Sequence, residues 1–544
     1  MTTTLRGADL LTRVLDRAGM RTIFTLSGNH IMPVFDATIG TGLRLIHTRH
    51  EAACVHMADA YARITGEVGI ALVTGGQGHT NAVAALTTAL CADSPLVLLS
   101  GHAGVVELGR GAFQELDQVA LARPVTKAAW MVRSADRVGH DLAEAVRIAR
   151  SGRPGPVHLS LPVDLLEAKL DDHPCLWPSN QAFLAAPQPL PATVASEIVA
   201  SLHAAKRPLI LAGPMLCTTA GRTVLAALQA TLKVPAIGME SPRGINDPSL
   251  GAFAEVLALA DLIVLLGKPH DFTLRFGASP FVHGQAKFIV VDPDAALLER
   301  ASREQGQRVV LSANADATSA ARALISAAAA TSDHGWLDDV TAAVAYRPSH
   351  WLKLKSTSAK LHPLELCRAI QPIIAANPDA VFIADGGEIG QWAQAGISAA
   401  RRVINGVAGS IGAGLPFALA ARVAEPNAPV IAVMGDGTFG FHMAEFDTAV
   451  RHNLPFVAVV GNDASWGAEH QIQLRDYGAD RAHSCTLLPT RYDQVAIALG
   501  AHGELVTDAA ALAPALHRAI ASRKPACLNV MIEAHPAPVV RREK

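Results

Sequence analysis

The sequence of 544 residues lacks three features that would each point to a particular class of protein. Its seven cysteines are scattered without a CxxC pair, so we expect buried, reduced thiols rather than disulfides or a metal site. It has no uninterrupted apolar run of about 18 residues, so we predict no transmembrane helix. Its formal net charge is only −2, which does not favour a nucleic-acid or membrane surface.

The N-terminus also lacks the apolar stretch and the small-residue cleavage site of a signal peptide. Its first residues, MTTTLRGADLLTRVL, instead follow the pattern of a helix cap and an amphipathic helix. We therefore expect a cytoplasmic protein.

Short apolar segments that end in glycine or proline recur along the chain. Examples are GIALVTGG, PLVLLSG, DLIVLLG, PVIAVMGDG and PFVAVVGND. They do not alternate with polar residues, which is typical of strands buried on both faces of a parallel sheet. Helical patterns lie between them, so the predicted class is α/β with doubly wound parallel sheets.

The length favours three domains, with two or four as alternatives. A proline-rich segment at 171–193 and a second aperiodic stretch around 331–363 are interpreted as linkers. The predicted domains are therefore 1–170, 190–335 and 360–535. The segments GIALVTGGQGHTNAV and PVIAVMGDGTFGFHM share a strand, glycine turn and helix start, so the first and third domains are expected to share one topology.

Two acidic turns close neighbouring strands in the third domain. Asp436 stands in Gly435-Asp436-Gly437, and Asp463 follows the next strand 27 residues later. Strand ends of this kind meet at the carboxyl edge of a parallel sheet, where ligands bind. Two hard oxygen ligands beside glycines suit Mg²⁺ and a diphosphate. The alternative is an ordinary turn and a helix cap.

These turns resemble the signature of thiamine-diphosphate (ThDP) enzymes, in which a Gly-Asp-Gly precedes an Asn-Asn pair. Here the pair is Asn462-Asp463, so the resemblance implies Mg²⁺ ligands from Asp436, Asp463 and the backbone carbonyl of Ser465. It further implies that ThDP is bound by a set of residues in the third domain, namely Gly409, Ile411, Gly435, Asp436, Gly437, Thr438, Ser465 and Trp466. Ile411 matches the bulky residue that keeps the cofactor bent.

The other half of the resemblance is Glu51, in HTRHEAA. In the family, a glutamate here contacts a ring nitrogen of the aminopyrimidine and promotes ionisation of the thiazolium carbon. Without the resemblance, Glu51 would be interpreted as an ordinary acid in the first turn of a helix.

The similarity extends over nearly the whole chain and is to the branch of acetolactate synthases, 2-hydroxyacyl-CoA lyases and benzaldehyde lyase. The motifs ALVTGGQGHTNAV, PVTK, GPVHLSLPVD, AEFDTAVRHNLP and NDASWGA look closest to benzaldehyde lyase. On this basis His30 and Gln114 are predicted to be catalytic. His79 is also a candidate, either as a proton relay or as a structural residue.

The resemblance implies a carbon–carbon lyase or carboligase that acts next to a carbonyl of a 2-hydroxyketone, aldehyde, 2-keto acid or acyl-CoA. The alternatives are an acetolactate-synthase-like enzyme that uses pyruvate and a non-catalytic protein of this fold. Asn405 and Gly390 replace larger pocket residues, so an aromatic pocket is not favoured. FAD is not expected. A homodimer is the minimum assembly, with a homotetramer expected.

Overall fold

A computed structural model describes residues 4–328 and 335–543. Two compact units are formed, each of which has its own core. The first comprises residues 4–186 with 419–424 and 447–452, and the second comprises the other described residues. Within the described residues, no helix combines the length and the apolar character that crossing a bilayer would require.

The first unit is built on a parallel sheet with helices in the connections. Among its described residues the strands are β1 (Thr4–Arg6), β2 (Thr22–Thr25), β3 (Arg44–His47), β4 (Gly69–Val73), β5 (Leu96–His102), β6 (Ala128–Met131), β7 (Pro156–Pro162) and β8 (Lys169–Asp171). The helices are α1 (Gly7–Arg17), α2 (Met32–Ala37), α3 (Glu51–Thr65), α4 (Gln77–Cys91), α5 (Gln118–Ala122), α6 (Val138–Arg150) and α7 (Val163–Glu167). The six-stranded sheet has the order β3-β2-β4-β5-β7-β6, and β1 pairs with β8.

The second unit contains two parallel sheets. Its described strands are β9 (Pro208–Ala212), β10 (Ala236–Gly238), β11 (Leu262–Leu266), β12 (Lys287–Val291), β13 (Val309–Ala313), β14 (Val381–Asp385), β15 (Arg401–Ile404), β16 (Val430–Gly435), β17 (Val457–Asn462), β18 (His502–Val506) and β19 (Ala526–Met531). The orders are β10-β9-β11-β12-β13 and β15-β14-β16-β17-β19-β18. The central strands β4, β5, β11 and β14 are buried along their whole length, because helices cover both faces.

The remaining described helices lie between residues 192 and 521, most of them between the strands of the second unit. They are α8 (Ala192–Ala204), α9 (Thr219–Leu232), α10 (Phe253–Leu257), α11 (Ala295–Gln305), α12 (Ala317–Ser326), α13 (Trp336–Ala345), α14 (Pro363–Ala376), α15 (Glu388–Gly396), α16 (Gly414–Ala424), α17 (Asp436–His442), α18 (Glu445–Arg451), α19 (Gly467–Asp476), α20 (Tyr492–Ala498) and α21 (Ala509–Ala521). The C-terminal parts of α16 and α18 belong to the first unit.

The predicted fold class is confirmed, and so is the shared topology. If the strands of each six-stranded sheet are numbered from one, both sheets have the order 2-1-3-4-6-5. The domain limits of 1–170, 190–335 and 360–535 stay a prediction.

The interpretation of 331–363 as a linker is wrong for part of this segment. Helix α13 lies there, and its Trp336, Val340 and Ala343 are buried in the core of the second unit. Their spacing places these apolar side chains on one face of a helix, a pattern that the prolines and polar residues around it obscure. Residues 331–334 lie outside the described residues.

Candidate active site

The acidic turns meet at one edge of the β14–β19 sheet, as predicted. Strands β16 and β17 pair in parallel, and Gly435 lies opposite Gly461 in the register. Asp436 is the first residue of α17 and is 1% exposed. Within the described residues its Oδ2 is buried without a hydrogen-bond partner. A buried carboxylate oxygen that lacks a donor is costly unless a proton or a cation accompanies it.

Asp463 supplies the second carboxyl of this edge. Burial, and then the neighbouring Asp463, raise the pKa of Asp436 to about 7. Burial also raises the pKa of Asp463, whose Oδ1 accepts from Ser465 N at 3.2 Å. Two buried carboxyls whose pKa values are both raised form a site where a divalent cation would favour the ionised form of both.

Glycine turns leave a cavity of about 180 Å³ in front of these carboxyls. A Cβ at Gly437 would lie 2.8 Å from the Trp466 ring, and at Gly412, where φ is +96°, it would lie 2.7 Å from Phe441. Every predicted cofactor and metal residue of the third domain lines this cavity, namely Gly409, Ile411, Gly435, Asp436, Gly437, Thr438, Asp463, Ser465 and Trp466.

The donor set fits Mg²⁺ with a diphosphate. Among the described residues, no three His, Cys, Asp or Glu side chains cluster as a metal site, so the carboxyls of Asp436 and Asp463 remain a pair. A cation held by two carboxylates must complete its coordination with backbone, phosphate or water oxygens, which is the manner in which Mg²⁺ is usually bound.

Asp385, which the sequence analysis missed, shapes the turn that carries Ile411. It ends β14, and its Oδ2 accepts from Gly412 N at 3.1 Å and Gly414 N at 2.6 Å. Burial raises the pKa of Asp385 to about 6. Its position in ADGG, a strand followed by Asp and Gly, is the same signal that identified Asp436, so this residue was accessible from the sequence.

Glu388 is a second missed residue of the cavity. It begins α15, and its Oε2 is buried without a hydrogen-bond partner among the described residues. Burial raises its pKa, the nearby Arg243 opposes that shift, and Glu469 and Asp463 add to it. The cavity therefore contains a third carboxyl in addition to the two that could bind Mg²⁺. No local sequence signal marks this acid.

In the first unit, Glu51 begins α3 and is held from α4. Asn81 Nδ2 donates to Glu51 Oε2 at 3.0 Å, while a Cβ added to Gly78 would lie 3.5 Å from Glu51 Oε1. One carboxylate oxygen is thus bound by a side-chain amide, and the other lies near Gly78, where a Cβ would meet Thr74 Cγ2 at 2.7 Å. This arrangement gives the carboxyl a defined direction.

His30 and Gln114 both lie against the glycine turn that precedes α4. His30 is 3% exposed, its Nδ1 is 3.2 Å from Thr74 Oγ1, and its ring stacks on Phe113 at 5.9 Å. Burial lowers the pKa of His30, so it is a neutral donor or acceptor near pH 7. Gln114 has φ +55° and donates to Gln77 Oε1 at 2.9 Å.

His79 points into the core of the first unit. It is fully buried, its Nδ1 is 2.9 Å from Ser100 Oγ, and its ring centroid is 4.4 Å from that of His158. Burial lowers the pKa of His79 to about 4 and that of His158 well below its ordinary value. These contacts favour the structural alternative for His79, and a catalytic role for it stays a prediction.

The sequence analysis also missed Gln118, which holds the glycine turn that precedes α4 by a hydrogen bond. Its Oε1 accepts from Gly76 N at 2.9 Å, and its Nε2 donates to Gly101 O and Ser160 Oγ at 3.1 and 2.9 Å. At 1% exposure it satisfies three polar groups of the core. These partners come from distant parts of the chain, so no local pattern of residues indicates the network.

Comparisons with known proteins agree with this geometry. Residues 5–121 match the thiamine pyrophosphate enzyme N-terminal TPP binding domain, and residues 385–530 match the corresponding C-terminal TPP binding domain. These two matched segments contain Glu51 and the Asp436–Asp463 pair, respectively.

Two known proteins are similar to this chain over most of its length. The chain is 34% identical to the acetolactate synthase large subunit IlvG of Mycobacterium tuberculosis, over 97% of this chain and 96% of that protein. It is 32% identical to 2-hydroxyacyl-CoA lyase 2 of Homo sapiens, over 92% of this chain and 85% of that protein.

A solved structure shares the fold. The thiamine diphosphate-dependent 4-hydroxybenzoylformate decarboxylase of Rhodococcus jostii RHA1 superposes with a TM-score of 0.83 at 21% identity, over 98% of this chain and 100% of that chain. The matched domains and the two long relatives show that the chain belongs to the thiamine-diphosphate-dependent enzymes related to acetolactate synthase and 2-hydroxyacyl-CoA lyase.

Proposed function

We propose that the protein is a ThDP- and Mg²⁺-dependent lyase or carboligase, which breaks or makes a carbon–carbon bond next to a carbonyl. The observation that carries the proposal is the buried Asp436 carboxylate beside Asp463 in a glycine-lined cavity, because its Oδ2 has no donor among the described residues. A site with this charge is unfavourable without a cation.

The residues of the second unit would hold the cofactor by its charged end. Asp436, Asp463 and the Ser465 carbonyl would bind Mg²⁺, and the backbone from Gly435 to Thr438 would approach the diphosphate. When bound, ThDP supplies a carbon nucleophile and an acceptor for the electrons that are released on bond cleavage. The protein supplies binding and orientation.

In the first unit, Glu51 would hold or transfer a proton at the aminopyrimidine. The bond from Asn81 fixes one carboxylate oxygen and leaves Oε1 directed past Gly78. His30 and Gln114 would contact the substrate hydroxyl or carbonyl. The retention of this set opposes the non-catalytic alternative.

Polar groups in the cavity favour a small polar substrate over an aromatic one. Gln391 and Asn405 are 3% and 4% exposed, and each has a carbonyl oxygen without a hydrogen-bond partner among the described residues. Both line the cavity. A substrate that places a hydroxyl against these amides would satisfy them, whereas a hydrocarbon ring would leave them unpaired.

The names of the relatives leave two reactions to separate. Cleavage of a 2-hydroxyketone or 2-hydroxyacyl-CoA is our first candidate, and pyruvate-dependent acetolactate synthesis is the second. The test is turnover of pyruvate, benzoin, acetoin, formaldehyde and 2-hydroxyacyl-CoAs with ThDP and Mg²⁺. We expect cleavage of an aliphatic hydroxyl-bearing substrate. Turnover of pyruvate alone would select the second candidate, and inactivity in the whole panel despite bound ThDP would contradict the proposal.

We also propose that each active site is shared between two copies of the chain, as in the family that the sequence resembles. Glu51 and Asp436 belong to different units of the chain. A dimer is then the minimum active form, and a tetramer is expected. Sedimentation velocity of the ThDP-saturated protein tests this, and an active monomer would refute it.

A further inference from the structure

A second and larger cavity lies in the second unit, away from the glycine-lined cavity. Its volume is about 790 Å³, and it runs between α9 with β10 on one side and the segment 397–402 on the other. None of its lining residues also lines the glycine-lined cavity. We call it the arginine cleft. Its size is within the range of small-molecule sites.

The lining of the arginine cleft contains four arginines and no acidic residue. The arginines are Arg222, Arg347, Arg401 and Arg402. Glu240 lies behind the lining and is shared by two of them, with Arg402 Nε at 2.7 Å and Arg222 also bonded to it. One carboxylate therefore faces two guanidinium groups.

The other two arginines also have partners, and these determine the net charge around the cleft. Arg401 pairs with Glu425. Arg347 donates to the backbone carbonyls of Ala395, Val344, Tyr346 and Ser249 at 2.7 to 3.0 Å. Carbonyls carry no net charge, but the buried Asp247 carboxyl is close enough to Arg347 and Arg402 to favour the charged form of both. With Glu240 and Glu425, three carboxyls therefore face four guanidinium groups. One positive charge remains in excess around the arginine cleft, and no acidic side chain is among its described lining residues.

Buried polar atoms at the same cleft lack hydrogen-bond partners among the described residues. Gln394 is 3% exposed, and its Oε1 is unpaired although its Nε2 donates to Gly390 O at 3.2 Å. Ser249 Oγ is also buried, and its polar neighbour is the Asp247 carboxyl, whose pKa burial raises and Ser249 lowers. Both residues line the cleft. Such groups are rare in folded proteins and are commonly satisfied by a ligand or by water.

The rest of the lining is largely apolar. Leu225, Ile237, Leu250, Val344 and Ile397 contribute side chains to it. Apolar walls with a few polar groups and cations accept a molecule that has an apolar body and an anionic end.

We propose that the arginine cleft binds a small organic anion, a carboxylate or phosphate monoester carried on an apolar body. Arginine forks recognise both kinds of oxyanion through paired N–H donors. The apolar side chains would cover the body of the ligand, and Gln394 and Ser249 would pair with its polar substituents. This site is additional to the proposed catalytic function and does not depend on it.

Three fluorescent probes of equal ring size test the proposal, namely 1-naphthoate, 1-naphthyl phosphate and the uncharged 1-naphthol. We expect at least one of the two anions to bind saturably with a Kd below about 1 mM, and to bind at least about tenfold more tightly than 1-naphthol. The tighter anion identifies the carboxylate or the phosphate as the preferred group. Equal binding of 1-naphthol, or no saturable binding of either anion, would overturn the proposal.

Competition with ThDP and Mg²⁺ distinguishes the two cavities. The anion should bind equally well with and without saturating cofactor, because the two linings do not overlap. Displacement of the probe by ThDP would place it in the glycine-lined cavity and would overturn the proposal. Cofactor binding is measured separately, so a failure of the proposed function is recognised independently.

Thr223 offers a matched pair of variants. It is exposed and lies on α9 in the lining. Among the described residues, its side chain makes a single, long hydrogen bond of 3.4 Å to Thr219 O. Thr223→Glu adds one carboxylate to the cleft and should weaken anion binding at least about tenfold by like-charge repulsion. Thr223→Gln has similar size without the charge and should stay within about twofold of the wild type. Equal effects of both variants would overturn the proposal.

Discussion

Asn81 Nδ2 donates a hydrogen bond of 3.0 Å to Glu51 Oε2 and thereby ties the fifth residue of α4 to the first residue of α3. The carboxyl of Glu51 is held by an amide that carries no charge and cannot titrate. Asn81 is therefore a positioning residue for Glu51, and its effect is separable from that of the carboxyl itself.

Replacing Asn81 with Leu removes this donor at similar size. Loss of a hydrogen bond to a charged group costs about 1.5–3 kcal/mol, so deuterium exchange at the thiazolium carbon of bound ThDP should slow by about ten- to a hundredfold. ThDP affinity should change little, because the Mg²⁺ and diphosphate contacts lie elsewhere. Thr80→Val, at the exposed neighbour on α4, is the control. An exchange rate equal to that of the wild type would remove Asn81 from the mechanism.

Glu51→Gln keeps the size of the side chain and removes its titratable proton. ThDP should still bind, whereas exchange at the thiazolium carbon and turnover should fall by about a hundred- to ten-thousandfold. If Glu51 only stabilised the start of α3, the cost would be at most about 1 kcal/mol of stability with little loss of exchange. Unchanged exchange at equal ThDP occupancy would support that simpler role.

The two metal-binding carboxyls should respond differently to mutation. Asp436→Ala should abolish Mg²⁺-dependent ThDP binding. Asp463→Asn restores the residue that is common in the family, so binding should remain. Because the two buried carboxyls repel each other without a cation, Asp463→Asn should also raise the Tm of the cofactor-free protein. Fluorescence titration and calorimetry provide the measurements, and equal loss of ThDP in both variants would show that the ligand assignment is wrong.

Glu388→Gln should strengthen ThDP binding. The buried Glu388 carboxyl lines the cavity beside Asp463 and opposes the entry of a negatively charged diphosphate. Removal of one repulsive charge in a partly buried site should lower the Kd of ThDP by about tenfold, which corresponds to about 1.4 kcal/mol. Glu197→Gln, at an exposed position of α8 outside the cavity lining, is the matched control. Weaker binding by Glu388→Gln would indicate that Glu388 instead contacts the cation or donates to the cofactor.

The buried His79–His158 pair should make the first unit sensitive to acid. The pKa of His79 falls from 6.5 to about 4 in the folded protein, so between these values the unfolded chain binds more protons and stability is lost as the pH falls. For His79 alone the full loss is about 3 kcal/mol. His158→Leu should reduce the drop in Tm between pH 7 and pH 5, whereas the exposed His483→Gln should not. An unchanged drop in His158→Leu would show that other groups cause the acid sensitivity.

The sequence alone determined the fold class and the position of the acidic pair. Strands such as Val430–Gly435 and Val457–Asn462 are continuous apolar runs, with apolar side chains on both faces of the strand. Such strands are typical of a parallel sheet that is covered by helices on both sides. A turn residue that follows such a strand must then lie at the carboxyl edge. The register, with Gly435 opposite Gly461, brings Asp436 and Asp463 together as that reasoning requires.

Only the tertiary structure decided which polar residues support the site and which lie in the core. Gln118 bonds to Gly76, Gly101 and Ser160, and His79 packs on His158 instead of facing the turn beside it. The role of Glu388 became visible only because its Oε2 is buried in the cavity. The arginine cleft exists because α9 approaches the segment 397–402. Burial and hydrogen bonding of these side chains depend on partners far away along the chain, and a local pattern of residues carries no information about them.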